Sequence, residues 1–175
     1  MITIAKGMTE DEMKQAADYF SSMKWTPWMK VVETTTVPKT RMQGMFMTLP
    51  GDDKEPIGQR IIETPVDGAA TQLFDSRSSF TVYVPVGSVK KGEELATKGM
   101  GKTTQCALCH GADLRGMGPV PGLAGRSPSY LARQIYDMQQ GARHGIWTEL
   151  MKPVVVNLNE EDILNLAAYT ASLAP

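Results

Sequence analysis

Cys106-Ala107-Leu108-Cys109-His110 restricts this chain more than any other stretch of it. Two thiols with two residues between them lie on one side of a single helical turn, and the next residue brings an imidazole. That set suits covalent attachment of one haem c. Cys106 and Cys109 would add across two vinyl groups, and His110 would turn its ring onto the iron. The chain has two cysteines and two histidines in all, and three of those four residues stand here.

Three other uses of the pair have weaker support. A thioredoxin-like redox site follows a strand, whereas Lys98-Gly99-Met100-Gly101-Lys102-Thr103 reads as a helix end and a loop. Zinc wants four ligands, and beyond this stretch only His144 is left. A disulfide across two residues closes a small, strained ring.

At 175 residues the chain makes one ordinary domain or two small ones. With 42% apolar residues and a net charge of -1 it reads as soluble and globular. No basic excess points to nucleic acid, and no apolar run has the length of a membrane span. Glu10, Asp11, Glu12 and Asp18 exclude a secretory signal in the first 25 residues. Haem of this type is attached outside the bacterial inner membrane, so the expected location is the periplasm. The signal is then either removed or missing with the true N-terminus.

Residues 1–28 carry an internal repeat. Met8–Tyr19 can be laid on Leu158–Tyr169: each has a capping residue, an acidic first turn, an apolar stripe and a tyrosine in the same place. Thr9 with Glu12 predicts a capping box, and at this offset Met1 falls on Met151. Residues 1–25 therefore read as the last helix of a haem-binding unit whose remainder is absent. Trp25-Thr26-Pro27-Trp28 is expected to end it, because proline disfavours helix before it.

Residues 29–87 change character and read as a connecting segment. Val31–Val37, Arg60–Thr64 and Phe80–Val84 have strand composition. Pro50–Asp53, Pro56–Gly58 and Pro65–Gly68 read as turns. A small antiparallel sheet with long loops is expected. Met42, Met45 and Met47 are closely spaced thioethers, better suited to packing than to a metal.

Residues 88–175 read as the haem domain. Ser88 is expected to cap a helix to about Lys98, Ser127 or Pro128 to open another, Gly141 to stop it, and Asn159 to cap the last. Gly92, Ala96, Ala167 and Ala168 would let the first and last helices cross closely. The glycine- and proline-rich run 111–125 lets backbone pass close to a flat cofactor. Met117, Met138, His144 and Met151 are candidates for the second axial position. Met151 is preferred, since it lies beyond a full helix with Pro153 to hold the segment extended. A thioether there raises the potential. The Pro121 carbonyl is offered to the other ring nitrogen of His110. Arg126, Tyr130, Arg133, Arg143 and Trp147 are available to propionates.

With these residues in place, the last 85 or so resemble a class I cytochrome c, in particular the C-terminal half of a two-haem cytochrome c. The likeness lies in CALCHG at 106–111, PGLAGRSPSYLARQ at 121–134, GAR at 141–143 and Met151 to Tyr169. The resemblance implies a mainly α fold of three to five helices around one haem, preceded here by a helix and a loop-rich segment with short strands. It implies His110 and Met151 as axial ligands, Pro121 as the partner of His110, and Tyr130 at the haem edge. Leu123, Arg126 and Gln134 fall in the same binding run. It implies electron transfer between redox protein partners rather than catalysis. The alternatives are a haem enzyme or gas sensor with open iron, and an assembly subunit. A homo-oligomer, or a first cytochrome domain missing from this sequence, is compatible with it.

Overall fold

The computed structural model describes residues 2–43 and 47–175. Met1 and Met45, both invoked above, lie outside the described residues. Helix α1 (Ile2–Lys6) leads to α2 (Glu10–Ser22). Thr9 opens α2 with a full capping box: Glu12 N–H donates to the Thr9 hydroxyl, and Thr9 N–H donates to the Glu12 carboxylate at 2.8 Å. The Thr9 N–H, and after it the Thr9 hydroxyl, hold the Glu12 carboxyl below the usual carboxylate range. The helix stops at Ser22, before the tryptophan-proline run expected to end it. Ser21 and Ser22 hydroxyls donate back to the carbonyls of Asp18 and Tyr19, which competes with helical continuation.

Strands β1 (Met29–Glu33), β2 (Thr36–Gln43), β3 (Met47–Pro56) and β4 (Ile62–Pro65) follow, then α3 (Gly68–Gln72) and β5 (Phe80–Val84). The run 31–37 is two strands, not one. Thr34 breaks it, because its hydroxyl donates to Thr36 O and accepts from Thr36 N–H. β1, β5 and β4 form one sheet in that order, with β1 parallel and β4 antiparallel to β5. The expected antiparallel sheet is therefore mixed. A parallel pair needs a long crossover, and residues 34–79 supply it. β2 and β3 pair as a separate antiparallel ribbon. Pro50–Asp53, expected as a turn, lies inside β3; a register shift between Pro38 and Thr40 accommodates it.

Helices α4 (Ser88–Lys98), α5 (Ala107–His110), α6 (Pro128–Gln139), α7 (Thr148–Val155) and α8 (Glu160–Ser172) complete the chain. The N-cap of α4 is Gly87 with φ +88°, and Ser88 is a buried first-turn residue rather than the cap. Ser127 caps α6 with Pro128 at its start, and Asn159 with Asp162 forms a second full capping box on α8. α4 crosses α8 at Gly92, where a Cβ would lie 1.9 Å from Asn165 O and 2.7 Å from Tyr169 Cβ. Leu95 and Ala96 of α4 join Val155, Leu158, Ile163 and Leu166 in the core. Ala168 packs with Val82 and Val84 of β5, and Val89 of α4 packs against the same cluster. α8 is thus the shared wall of helices and sheet. Among the described residues no helix is long and apolar enough to cross a membrane.

Candidate functional site

Cys106 to His110 form one tight turn. The Cys106 carbonyl accepts from His110 N–H at 3.0 Å, and Cys106 N–H donates to Ala96 O at 2.9 Å, which pins the turn to α4. Both cysteines are free, Cys109 exposed and Cys106 partly buried against the apolar core. Burial pushes the Cys106 thiol up, so it stays protonated at neutral pH. A redox thiol of the thioredoxin kind needs the opposite shift. Among the described residues no three His, Cys, Asp or Glu side chains converge, so the zinc alternative lacks a ligand set.

His110 is 7% exposed. Its Nδ1 lies 2.7 Å from the Pro121 carbonyl oxygen. A carbonyl only accepts, so Nδ1 carries the proton and donates, which leaves the Nε2 lone pair free for a metal. The loop that presents Pro121 is closely folded. Gly116 N–H donates to His110 O at 2.8 Å, while Leu123 and Ala124 N–H both donate to Leu114 O. A Cβ on Gly116 would meet Gly122 N and Val120 O at 2.8 Å, so only glycine fits there. Met117 pairs with Val120, one residue before Pro121, and so belongs to the loop on the His110 side.

Met151 lies on α7 and packs against the same apolar cluster as Cys106. The segment is helical, not extended as Pro153 suggested. Pro153 has no N–H to give back to Glu149 O, and the carbonyls at and just beyond the end of the helix, which lack helical partners in any case, are met by other elements. Gln139 of α6 donates through Nε2 to the carbonyls of Val155 and Leu158 at 2.6 and 2.7 Å. The Thr103 hydroxyl, just before the cysteines, donates to Val154 O at 2.7 Å. α7 is therefore anchored to both α6 and the attachment loop. Gln139 and Thr103 carried no sequence signal, since each acts through the backbone of a distant residue. Met138 packs on the same cluster, and His144 is exposed, with Nδ1 3.3 Å from its own neighbour Ala142 O.

The remaining candidates are dispersed. Arg143 donates to the Gln134 side-chain oxygen. The Arg126 guanidinium lies 4.3 Å from the centre of the Trp25 ring, and that of Arg133 lies 5.8 Å from the Tyr130 ring. Leu123 is half-buried in the loop, and Tyr130 and Trp147 are exposed. A flat iron porphyrin fits this donor set. One buried imidazole has a fixed tautomer, two thiols stand in the adjoining turn, and a thioether borders the apolar wall that Cys106 touches.

A family model described as Cytochrome c matches residues 89–174. Cytochrome c-554(548) of Halomonas halodenitrificans is 40% identical over 78 residues, which make up 44% of this chain and 94% of that protein. Cytochrome c4 of Pseudomonas aeruginosa is 37% identical over 78 residues, 44% of this chain and 37% of that one. The thiosulfate dehydrogenase electron acceptor of Stutzerimonas stutzeri is 35% identical over 111 residues, 61% of this chain and 46% of that one. The chain thus spans nearly all of the first relative and less than half the length of the other two.

Proposed function

Because this chain belongs to the cytochrome c family, and is an electron-transfer c-type cytochrome with covalently bound haem c, we propose that it carries a single haem between His110 and Met151. Cys106 and Cys109 tether it. His110 is the observation on which this assignment rests: its Nδ1–H is committed to Pro121, so its Nε2 is the metal-facing atom. Met151 is favoured over Met117, which belongs to the loop on the histidine side; it shares the apolar cluster that Cys106 touches with Met138, which the apolar stripe of α6 assigns to the core together with Ala132 and Ile135. When bound, the haem supplies reversible one-electron chemistry. The chain holds the ring nitrogen in place and shields it from water. Residues 121–134 then contribute Pro121, Leu123, Arg126, Tyr130 and Gln134 around the cofactor. The periplasm is the compartment that fits thioether attachment.

Intact mass and a visible spectrum test this. One haem added in mass is expected, with a weak red band in the oxidised form from methionine ligation. Met151→Ala is expected to lower the potential, abolish that band and let cyanide bind quickly. An unchanged spectrum would assign the sixth ligand elsewhere, and a mass without haem would remove the whole assignment.

The electron source is proposed to be a dehydrogenase. At 61% of the chain, the match to the thiosulfate dehydrogenase electron acceptor exceeds the half that residues 88–175 make up, so the likeness reaches into 29–87. Thiosulfate with a thiosulfate dehydrogenase should reduce the oxidised protein. No reduction excludes that partner. Residues 1–28 are read as the last helix of a further cytochrome unit, which the matching caps of α2 and α8 support.

A further inference from the structure

The first turn of α6 is held from the sheet. Pro128 has no N–H to satisfy. Ser129 N–H donates to Glu63 Oε1 at 2.7 Å. Tyr130 N–H donates to Ser127 Oγ at 3.2 Å, and the Ser127 hydroxyl donates in turn to the Glu63 carboxylate, whose oxygens lie at 2.9 and 3.0 Å. Leu131 N–H begins the helical series on Ser127 O at 3.0 Å. Every donor of that turn is accounted for, and the direct and relayed bonds both end on one side chain. Ser127 alone would start the helix. What Glu63 adds is a fixed position, because it stands on β4 and the cap of the helix it grips lies 64 residues later.

The same device recurs on the opposite edge of the sheet. α4 has glycine at its cap and no side chain to close it, and Val89 N–H donates instead to Glu33 Oε1 on β1 at 2.8 Å. β1 and β4 flank β5, so the two outer strands each give a carboxylate to the start of a helix. Both carboxylates also meet the positive end of a helix dipole. α4 receives the attachment turn through Ala96 O, and α6 carries Tyr130 and Gln134 on its first two turns.

We propose that Glu63 is a positioning residue for the cofactor side of α6, so that residues 29–87 are part of the frame that sets the haem environment. This rests on the single-haem reading for its effect on potential, but not for its effect on α6. Glu63→Ala and Glu63→Gln in the full haem-loaded protein separate geometry from charge. Glu63→Ala is expected to speed hydrogen exchange of the Ser129 amide about tenfold or more, since its charge-assisted acceptor is lost. Glu63→Gln keeps an acceptor oxygen and should restore slow exchange to within about threefold. The reduction potential should shift in Glu63→Ala and return towards the original in Glu63→Gln. Glu33→Ala should speed exchange at Val89 and leave α6 unchanged.

Unchanged exchange in Glu63→Ala would overturn the proposal. So would Glu63→Gln behaving like Glu63→Ala, which would make the charge the only contribution. Faster exchange with an unchanged potential would overturn the link to the haem. A chain without covalent haem would end that link and the single-haem reading together, while the exchange pattern would still decide whether Glu63 holds α6.

Discussion

Gly92 stands in the α4–α8 crossing with no room for a side chain. A methyl there would be driven into the Asn165 carbonyl, a backbone atom that cannot rotate away. Gly92→Ala should therefore destabilise by about 3 kcal/mol, at the upper end of ordinary overpacking, read from the midpoint of denaturant unfolding. A second residue-scale prediction concerns pH. The Lys91 ammonium, 2.7 Å from Glu161, bonds to that carboxyl and holds it below the usual range. A carboxyl lowered in the folded state contributes stability above its unfolded value and loses it as pH falls through the folded value. Lys91→Met should therefore reduce stability at neutral pH by a small amount and leave it unchanged in acid, where both proteins are protonated; acid titration of the unfolding midpoint checks this. At this scale the sequence was most informative for local chemistry. Cys106, Cys109 and His110 fall within five residues, and the Thr9–Glu12 and Asn159–Asp162 boxes close over three residues. Glu63, Gln139 and Thr103 were not legible, because each bonds to backbone far along the chain.

Between elements, α2 and α8 make a natural experiment. Both run for 13 residues, 150 positions apart, and both begin on a capping box and end on an extended residue. α8 buries nine residues and α2 none. Tyr19 and Phe20 of α2 are 63% and 67% exposed and touch each other edge to face. The caps follow from local sequence, so the repeat was readable; burial depends on what lies opposite, and no pattern within the helix reports that. Leu166→Ala in α8 should cost about 2–5 kcal/mol, as removal of a core leucine does. Phe20→Ser in α2 should change stability by no more than about 0.5 kcal/mol, the range for an exposed site. Paired urea titrations check both, and an equal loss would mean that α2 has a covered face in solution. The strands show the converse limit. Phe80–Val84 was legible from its β-branched composition, whereas the break at Thr34 turns on one hydroxyl and the β2–β3 ribbon on long-range pairing. α7 runs through Pro153, and α6 and the attachment loop hold its last carbonyls, contacts that a reading of Pro153 alone does not include.

At the scale of the whole molecule, the question is whether residues 29–87 unfold with the helices or apart from them. Composition alone reads them as a connector. In the structure Val82 and Val84 are fully buried, and the side chain completing their cluster is Ala168 of α8, whose other face forms the helical core. Glu33 and Glu63 add polar ties from the same sheet to α4 and α6. A shared wall of this kind makes the two parts one cooperative unit, because losing the sheet exposes α8 and opens the helical core. Val84→Ala should then cost about 2 kcal/mol, the transfer of two methyl-sized groups plus a cavity. It should lower the midpoint equally whether unfolding is followed by far-ultraviolet circular dichroism or by haem absorption. A sheet that merely connects would give a different result: two separated transitions, with the haem signal indifferent to Val84.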